Sequence, residues 1–333
     1  MTLLRGDDPA DVLACAQRLA AGGLVAFATE TVYGLGARAD DDTAVAGIFA
    51  AKGRPMDHPL IVHVAGPAEA AAFSTSLAGP AQRLIDAFWP GPVTMIVPRR
   101  TGMATAAAGG QASIGLRCPA HPVAQALLRQ AAALGMPGVA APSANRFGRI
   151  SPTRAAHVQD EFGPSLWVLD GGDCALGIES TIVDCTTGRP VLLRPGTLTR
   201  NQVEAALGER LLAPDAHAPR APGTLEAHYA PRARLRLVES ASLAPALAEH
   251  AAELNSRNML AVYSRQPISS LPGGAAPVFW HAMPADPLAV AHQLFAVLRD
   301  LDARGVQQIW VERPPSEPGW DGVLDRLRRA AAS

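Results

Sequence analysis

Two short stretches of this 333-residue chain carry groups suited to gripping an anion. In Lys52-Gly53-Arg54-Pro55, a lysine and an arginine stand two residues apart, held by a glycine and a proline in a tight turn ahead of the apolar run Leu60-Ile61-Val62-His63-Val64. The guanidinium offers a planar fork and the ammonium a compact point charge, which together suit a polyphosphate, or a phosphate beside a carboxylate. In isolation the same four residues also read as a solvated basic corner. The second stretch is Pro142-Ser143-Ala144-Asn145, where Ser143 and Asn145, one small residue apart, leave an extended segment on the same side and add neutral hydrogen-bonding groups. Ser113 and Arg117 lie at the two ends of one strand, Ser180 and Arg194 on two others, and Ser151 before Pro152-Thr153 reads as a helix start with free N–H groups. His63, inside an apolar run, reads as a core histidine or as a ligand.

These groups are rich in cations and hydroxyls and poor in general bases. There is no Gly-rich Walker loop, no defensible Ser-His-Asp order and no pair of carboxylates at catalytic spacing. Phosphoryl or nucleotidyl transfer has those requirements, because positioning and charge neutralisation supply most of the rate and a metal bridges phosphate oxygens.

The elements that must position them alternate between strand and helix. Val12, Ala16 and Leu19 recur at helical spacing and Gly22-Gly23 stops that helix. The buried strand Leu24 to Ala28 runs into Thr29-Glu30-Thr31-Val32-Tyr33-Gly34-Leu35-Gly36, a polar segment at the carboxyl end of a strand, where α/β sheets place ligands. Asp42 reads as the N-cap of the helix that delivers Lys52. Further strands are expected at Val93 to Val97, Ala112 to Arg117, Gly138 to Ala141, Leu166 to Asp170, Glu179 to Asp184 and Val191 to Arg194. From Ala213 prolines punctuate a connector that nonetheless carries His228 and Tyr229. Beyond it a smaller α/β alternation follows, with strands at Leu235 to Val238, Met259 to Tyr263, Val278 to His281 and Gln308 to Glu312, helices from Leu243 to Leu254, Pro287 to Leu301 and Gly322 to Ala331, and a largely parallel sheet.

Composition narrows the class. At 48% hydrophobic and 18% charged the chain is globular and long enough for two cores. A formal net charge of -1 draws it neither to nucleic acid nor to an anionic membrane, so any RNA contact is local. Cys15, Cys118, Cys174 and Cys185 form no CxxC pair, which argues against a zinc site or disulfide framework and for a reducing compartment. An acidic N-terminus and the lack of long apolar runs predict a cytoplasmic protein with no membrane association.

Taken in order, Thr29 to Leu35, Lys52-Gly53-Arg54-Pro55, Ser143-Ala144-Asn145, Glu179 to Asp184 and Arg194-Pro195-Gly196 resemble the YrdC-type threonylcarbamoyl-AMP synthases. Pro222-Gly223-Thr224-Leu225-Glu226-Ala227-His228-Tyr229-Ala230-Pro231 and the trailing domain resemble that family's long, two-domain branch. The resemblance implies a YrdC-like twisted mixed sheet with a large cavity over residues 1–212, a linker and lid over 213–232, and a small Rossmann-like domain over 233–333. It implies synthesis of threonylcarbamoyl-adenylate and diphosphate from L-threonine, bicarbonate and ATP, with Mg2+ entering alongside ATP. The product would feed a tRNA-modifying threonylcarbamoyltransferase complex, and contact with tRNA itself would be weak. By the same resemblance Thr31, His63, Arg117, Ala141 and Ser180 line the threonine pocket, Arg117 meeting the carboxylate and a backbone carbonyl near Ala141 the ammonium. Lys52 and Arg54 are the catalytic cations, and with His58, Ser113, Ser143, Asn145, Ser151, Arg194 and Tyr229 they hold ATP; no residue is assigned to a metal. His58 stands where the family pattern has Asn. Two readings compete: a carbamoyl-adenylate-forming carbamoyltransferase of the hydrogenase-maturation type, for which acylphosphatase and zinc-finger regions are missing, and a double-stranded RNA or tRNA-binding module without catalysis.

Overall fold

A computed structural model describes residues 2–250, 254, 259–267 and 278–332. The chain divides into two compact units, one of residues 1–147 and 151–224 and one of 148–150 and 225–333. The first unit contains strands β1 (Leu3–Arg5), β2 (Val25–Phe27), β3 (Gly34–Arg38), β4 (Ile61–His63), β5 (Val93–Pro98), β6 (Ser113–Arg117), β7 (Val139–Ala140), β8 (Trp167–Asp170), β9 (Thr181–Asp184) and β10 (Val191–Arg194). Its helices are α1 (Pro9–Ala20), α2 (Asp42–Lys52), α3 (Pro67–Ala70), α4 (Pro80–Phe88), α5 (Pro122–Ala133), α6 (Ala155–Phe162) and α7 (Arg200–Leu207).

The ten strands form one mixed sheet in the order β1-β8-β2-β3-β7-β4-β6-β5-β9-β10. One face is covered by α2, α4, α6 and α7, which bury Ile48, Leu84, Val158 and Val203 against Val62, Met95, Val97, Leu116 and Val183. On the other face, α1 and α5 pack Leu19 and Leu127 against Val25, Phe27, Val139 and Leu169. They stop short of β4, β6, β5 and β9, whose side of the sheet carries only a small apolar cluster, Ile61, Ile96 and Ile182, closed by Ala221 of the connector. Strand periodicity of two therefore sorts one set of side chains into the helix-covered core and leaves the alternate set to form a polar face.

Helix α2 is capped by Asp41, whose carboxylate accepts from the N–H groups of Thr43 and Ala44. Asp42, the expected cap, lies one residue too far along and instead accepts from the Ala106 N–H at 2.9 Å. Its C-terminus closes with Gly53 in the left-handed region (φ 63°) and Arg54 N–H bonded to Phe49 O at 3.0 Å, the glycine-terminated ending that turns the chain sharply after Lys52. Helix α6 starts at Ala155, beyond Ser151, so Ser151 contributes no helix-start N–H.

The second unit holds β11 (Arg234–Val238), β12 (Leu260–Ser264), β13 (Phe279–Ala282) and β14 (Gln308–Glu312), with α8 (Ser240–His250), α9 (Pro287–Ala303) and α10 (Asp321–Ala331). Its sheet, in the order β11-β14-β12-β13, is parallel throughout. Residues 251–253 of the expected helix lie outside the described residues. All four cysteines are free and buried. Among the described residues, no helix is long and apolar enough to cross a membrane.

Candidate active site

On β6 the alternation puts Ser113, Gly115 and Arg117 on the polar face and Ile114 and Leu116 in the core. His63 and Ile61 of β4 and Thr94 and Ile96 of β5 share that face, and the parallel register sets His63 beside Arg117.

Arg117 is the centre of one end. Its Nη1 donates to Thr31 Oγ1 at 2.8 Å, its Nη2 stands 2.7 Å from Glu30 Oε1, and its Nε points at the Gly91 carbonyl at 3.4 Å. Strands β2 and β6 are four places apart in the sheet, about 19 Å if it were flat. Contact between Arg117 and the loop that follows β2 therefore depends on that loop reaching across the intervening strands. Thr31 is itself fixed by Thr29, whose hydroxyl lies 2.9 Å away. Glu30, part of the polar segment but given no role from sequence, is the carboxylate that meets Arg117. Burial, with Arg117 adding repulsion, pushes His63 down to about 3, so its imidazole is neutral in ordinary conditions. Ala141 continues β7 at the edge of this face, its N–H bonded to Ile61 O at 2.9 Å.

Ser180 shares its hydroxyl with Thr94 at 2.7 Å, and Arg194 donates to the Ser180 carbonyl from Nε (3.1 Å) and Nη2 (2.9 Å). Arg194, expected among the ATP contacts, is thereby grouped with Ser180 of the threonine set. Ser151 donates its hydroxyl to Glu179, the neighbour of Ser180.

The other end is built on Lys52. Its buried ammonium donates to the carbonyls of Ser143 (2.6 Å) and Asn145, while the Phe147 N–H returns a bond to the Lys52 carbonyl at 2.9 Å. The Ser-Ala-Asn segment thus meets the cation through main-chain oxygens, and Asn145 Nδ2 donates to Arg146 O. That segment is held in place by Ala144 N–H on Tyr33 O and Leu35 N–H on Pro142 O. Arg54 Nη2 bonds Pro59 O at 3.0 Å, at the start of β4, and its guanidinium lies over Phe147. His58 sets its ring edge against Phe147, and partial burial followed by Arg54 lowers its basicity. Burial, reinforced by Arg54 and opposed by Glu161, holds the Lys52 ammonium well below the ordinary lysine range. Lys52 is the only lysine in the chain, the other 28 of 29 basic residues being arginine. A compact ammonium between two carbonyls is a place that a planar guanidinium does not fill.

The connector enters this unit as well. Ala221 is buried on Ile61, Ile96 and Ile182, Arg194 Nη1 donates to Pro222 O at 2.9 Å, and Gln111 exchanges a pair of hydrogen bonds with the Arg220 main chain. Tyr229, expected to contact the nucleotide, lies in the second unit. Its ring is 1% exposed, stacked on Phe295 at 5.5 Å with the Arg326 guanidinium over it. Among the described residues no group of three or more His, Cys, Asp or Glu gathers to hold a metal ion.

Fold and site together define an α/β protein with a buried cationic, hydroxyl-lined sheet face, the kind of surface that holds an anion with an amino acid beside it. The chain belongs to the Sua5/YciO/YrdC family: that family model, described as "Telomere recombination", matches residues 17–196, and the model "Threonylcarbamoyl-AMP synthase, C-terminal domain" matches 198–332. It is 37% identical to a threonylcarbamoyl-AMP synthase of Pyrococcus abyssi, over 93% of this chain and 91% of that protein. A Bacillus subtilis protein of the same name is 35% identical over 98% and 94%. Among solved structures, P. abyssi Sua5 complexed with L-threonine superimposes with a TM-score of 0.86 at 34% identity, covering 99% of this chain and 97% of that one. A P. abyssi Sua5 variant with a His and a Tyr replaced by alanine gives 0.88 at 33%, covering 99% and 96%.

With one lysine in the chain, 13C-lysine labelling yields a single ε-carbon resonance. It is expected to titrate well below 10.5. Folded Lys52 then holds its proton less tightly than the unfolded chain does, so this group makes stability rise with pH between its depressed value and 10.5. Titration at the ordinary value would mean that the two carbonyls offset burial. Glu30→Ala strands a buried guanidinium and is expected to lower unfolding free energy by about 3 kcal/mol or more in a denaturant titration. A loss under about 1 kcal/mol would equate the pair with a surface ion pair.

Proposed function

We propose that this chain is a threonylcarbamoyl-AMP synthase, an enzyme that joins L-threonine, bicarbonate and ATP into threonylcarbamoyl-adenylate with release of diphosphate. The observation that carries this reading is the pair of buried cations in the first unit, Arg117 on the polar sheet face and Lys52 at the carboxyl end of α2. Arg117 has its counter-charge in Glu30, whereas Lys52 has carbonyl dipoles alone in contact.

In this reading threonine lies at the Arg117 end, its carboxylate on the guanidinium, its ammonium on a carbonyl near Ala141, and its hydroxyl facing neutral His63, Thr31 and Ser180. The triphosphate lies at the Lys52 end, where two of the three ammonium N–H groups are committed to carbonyls and the third is available to an oxygen. Arg54, His58, Ser113, Ser143, Asn145 and Ser151 complete that end, and Arg194 joins the two ends through Ser180. Threonine's amine, after giving its ammonium proton to solvent, attacks carbon dioxide, or bicarbonate with cleavage of a C–O bond and departure of water, forming the N–C bond of a carbamate. A carbamate oxygen then attacks the α-phosphorus, the bond to the β-phosphate oxygen breaks, and diphosphate leaves. Magnesium would arrive with ATP, held by its phosphate oxygens.

Carbamates are short-lived in water, so the face must be dry while one exists. The connector around Ala221 and Pro222 supplies the cover in this reading. The labile product passes to a threonylcarbamoyltransferase complex acting on tRNA in the cytoplasm, with tRNA contact by this chain local at most. The carbamoyl-adenylate and RNA-binding alternatives are not favoured, because relatives matching nearly the whole chain are named threonylcarbamoyl-AMP synthases.

Purified protein given threonine, bicarbonate and ATP is expected to yield threonylcarbamoyl-adenylate by mass spectrometry, with diphosphate release that depends on threonine. Lys52→Ala is expected to raise the barrier by about 2 kcal/mol or more, roughly thirtyfold in rate. Wild-type turnover in that variant would remove Lys52 from the site. Gln111→Ala, which removes two of the connector's hydrogen bonds at Arg220, is expected to admit water that destroys the carbamate before it reaches the α-phosphorus, lowering adduct formation and diphosphate release together. An unchanged rate of adduct formation would deny the connector a part in excluding solvent.

A further inference from the structure

The second unit contains a cavity of about 520 Å³ at the outer edge of its sheet, lined by Arg234, Arg236, Arg313, Arg328, Gln308 and Leu235 among others. Strand β11 is the edge strand, pairing with β14 alone among the described strands. Arg234 and Arg236 alternate on it, so their side chains leave the same face about 6.7 Å apart. The Arg236 guanidinium rests 5.0 Å from the centre of the Trp310 ring. Arg313 pairs with Glu239 at 2.5 Å, a largely exposed carboxylate. Arg328 sits in the last turn of α10, where the helix carboxyl end offsets part of its charge. Arg234, Arg236 and Arg328 form no ion pair among the described residues.

Charged residues on an edge strand also serve to prevent pairing with other sheets. Isolated charges suffice for that. Here four arginines from three separate segments line one concavity of the size that holds small ligands, together with Leu235, Leu237 and Ala331. We propose that this cavity is a binding site for a phosphate-bearing anion, separate from the polar face of the first unit. Guanidinium groups at two-residue strand spacing suit a ligand with several phosphate oxygens or successive phosphates, and the apolar residues suit a ring or base attached to them. The site is independent of the synthase reading, since none of its residues belongs to the set assigned to threonine or ATP.

The test is hydrogen–deuterium exchange on the full chain with two separate probes, ATP and a short single-stranded RNA. Protection of β11 and of the carboxyl end of α10 is expected with at least one probe and is expected to fade with added salt. Protection with ATP assigns the site to free nucleotides, and protection with RNA alone assigns it to chain phosphates. Arg234→Ala combined with Arg328→Ala is expected to weaken that protection about tenfold or more in apparent affinity. The same variant keeps its thermal midpoint and its threonine-dependent diphosphate release, which separates this site from the catalytic one. No protection of β11 with either probe, or equal protection in the double variant, overturns the proposal.

Discussion

A buried ammonium held by main-chain carbonyls is the constraint on which the rest of the first unit depends. Removing the Lys52 charge from water costs several kcal/mol even after relaxation, and two carbonyl dipoles return only part of that. The corner is therefore short of negative charge, and an arriving polyphosphate makes up the difference. Its construction draws on the whole sheet. Helix α2 brings Lys52 to its own carboxyl end, where the helix dipole favours a cation, and Gly53 turns the chain so that Arg54 points the same way. The pairing of β3 with β7 then carries Ser143 and Asn145 to meet the ammonium.

The opposite end is solved differently. Arg117 is as deeply buried as Lys52, but it meets a carboxylate as well as a hydroxyl. One end is thus electrically balanced before any ligand arrives, and the other is not. A zwitterion, with no net charge, suits the balanced end because its carboxylate and ammonium divide between Arg117 and nearby acceptors. A polyanion suits the unbalanced end. The partition of charge along one sheet face, more than any single contact, orders the two substrates.

Much of this was legible in sequence. Residues acting through local chain geometry, such as the Lys52 to Pro55 turn, or through strand alternation, such as Ser113 with Arg117, were visible because period and turn chemistry are local properties. What was hidden depends on contacts between distant segments. Glu30 acquires its part only when its loop reaches across the intervening strands to Arg117, and Arg194 joins Ser180 only through the pairing of β9 with β10. Gly34 to Gly36, read from sequence as the end of a polar segment, open strand β3. Its Gly36 is in fact a packing residue, since a Cβ there would come within 2.8 Å of Val139 and 2.9 Å of Phe27. Tyr229 reads as polar and connector-borne, yet stacking on Phe295 beneath Arg326 outweighs that position in the chain.

The hold on the connector has a strength that the chemistry requires. Arg220 and Asp57 pair at 3.2 Å but are both more than half exposed, a contact worth at most about 1 kcal/mol. The two bonds to Gln111 add roughly 0.5–1.5 kcal/mol each, and burial of the Ala221 methyl less than about 1 kcal/mol. A segment fastened by a few such contacts stays closed most of the time and still opens without unfolding the sheet beneath it. Tighter fastening would trap diphosphate and adenylate, and looser fastening would let water reach a carbamate before it meets the α-phosphorus. In the proposed reaction, marginal attachment would be a condition of turnover, because the same face would have to be dry for one step and open for the next.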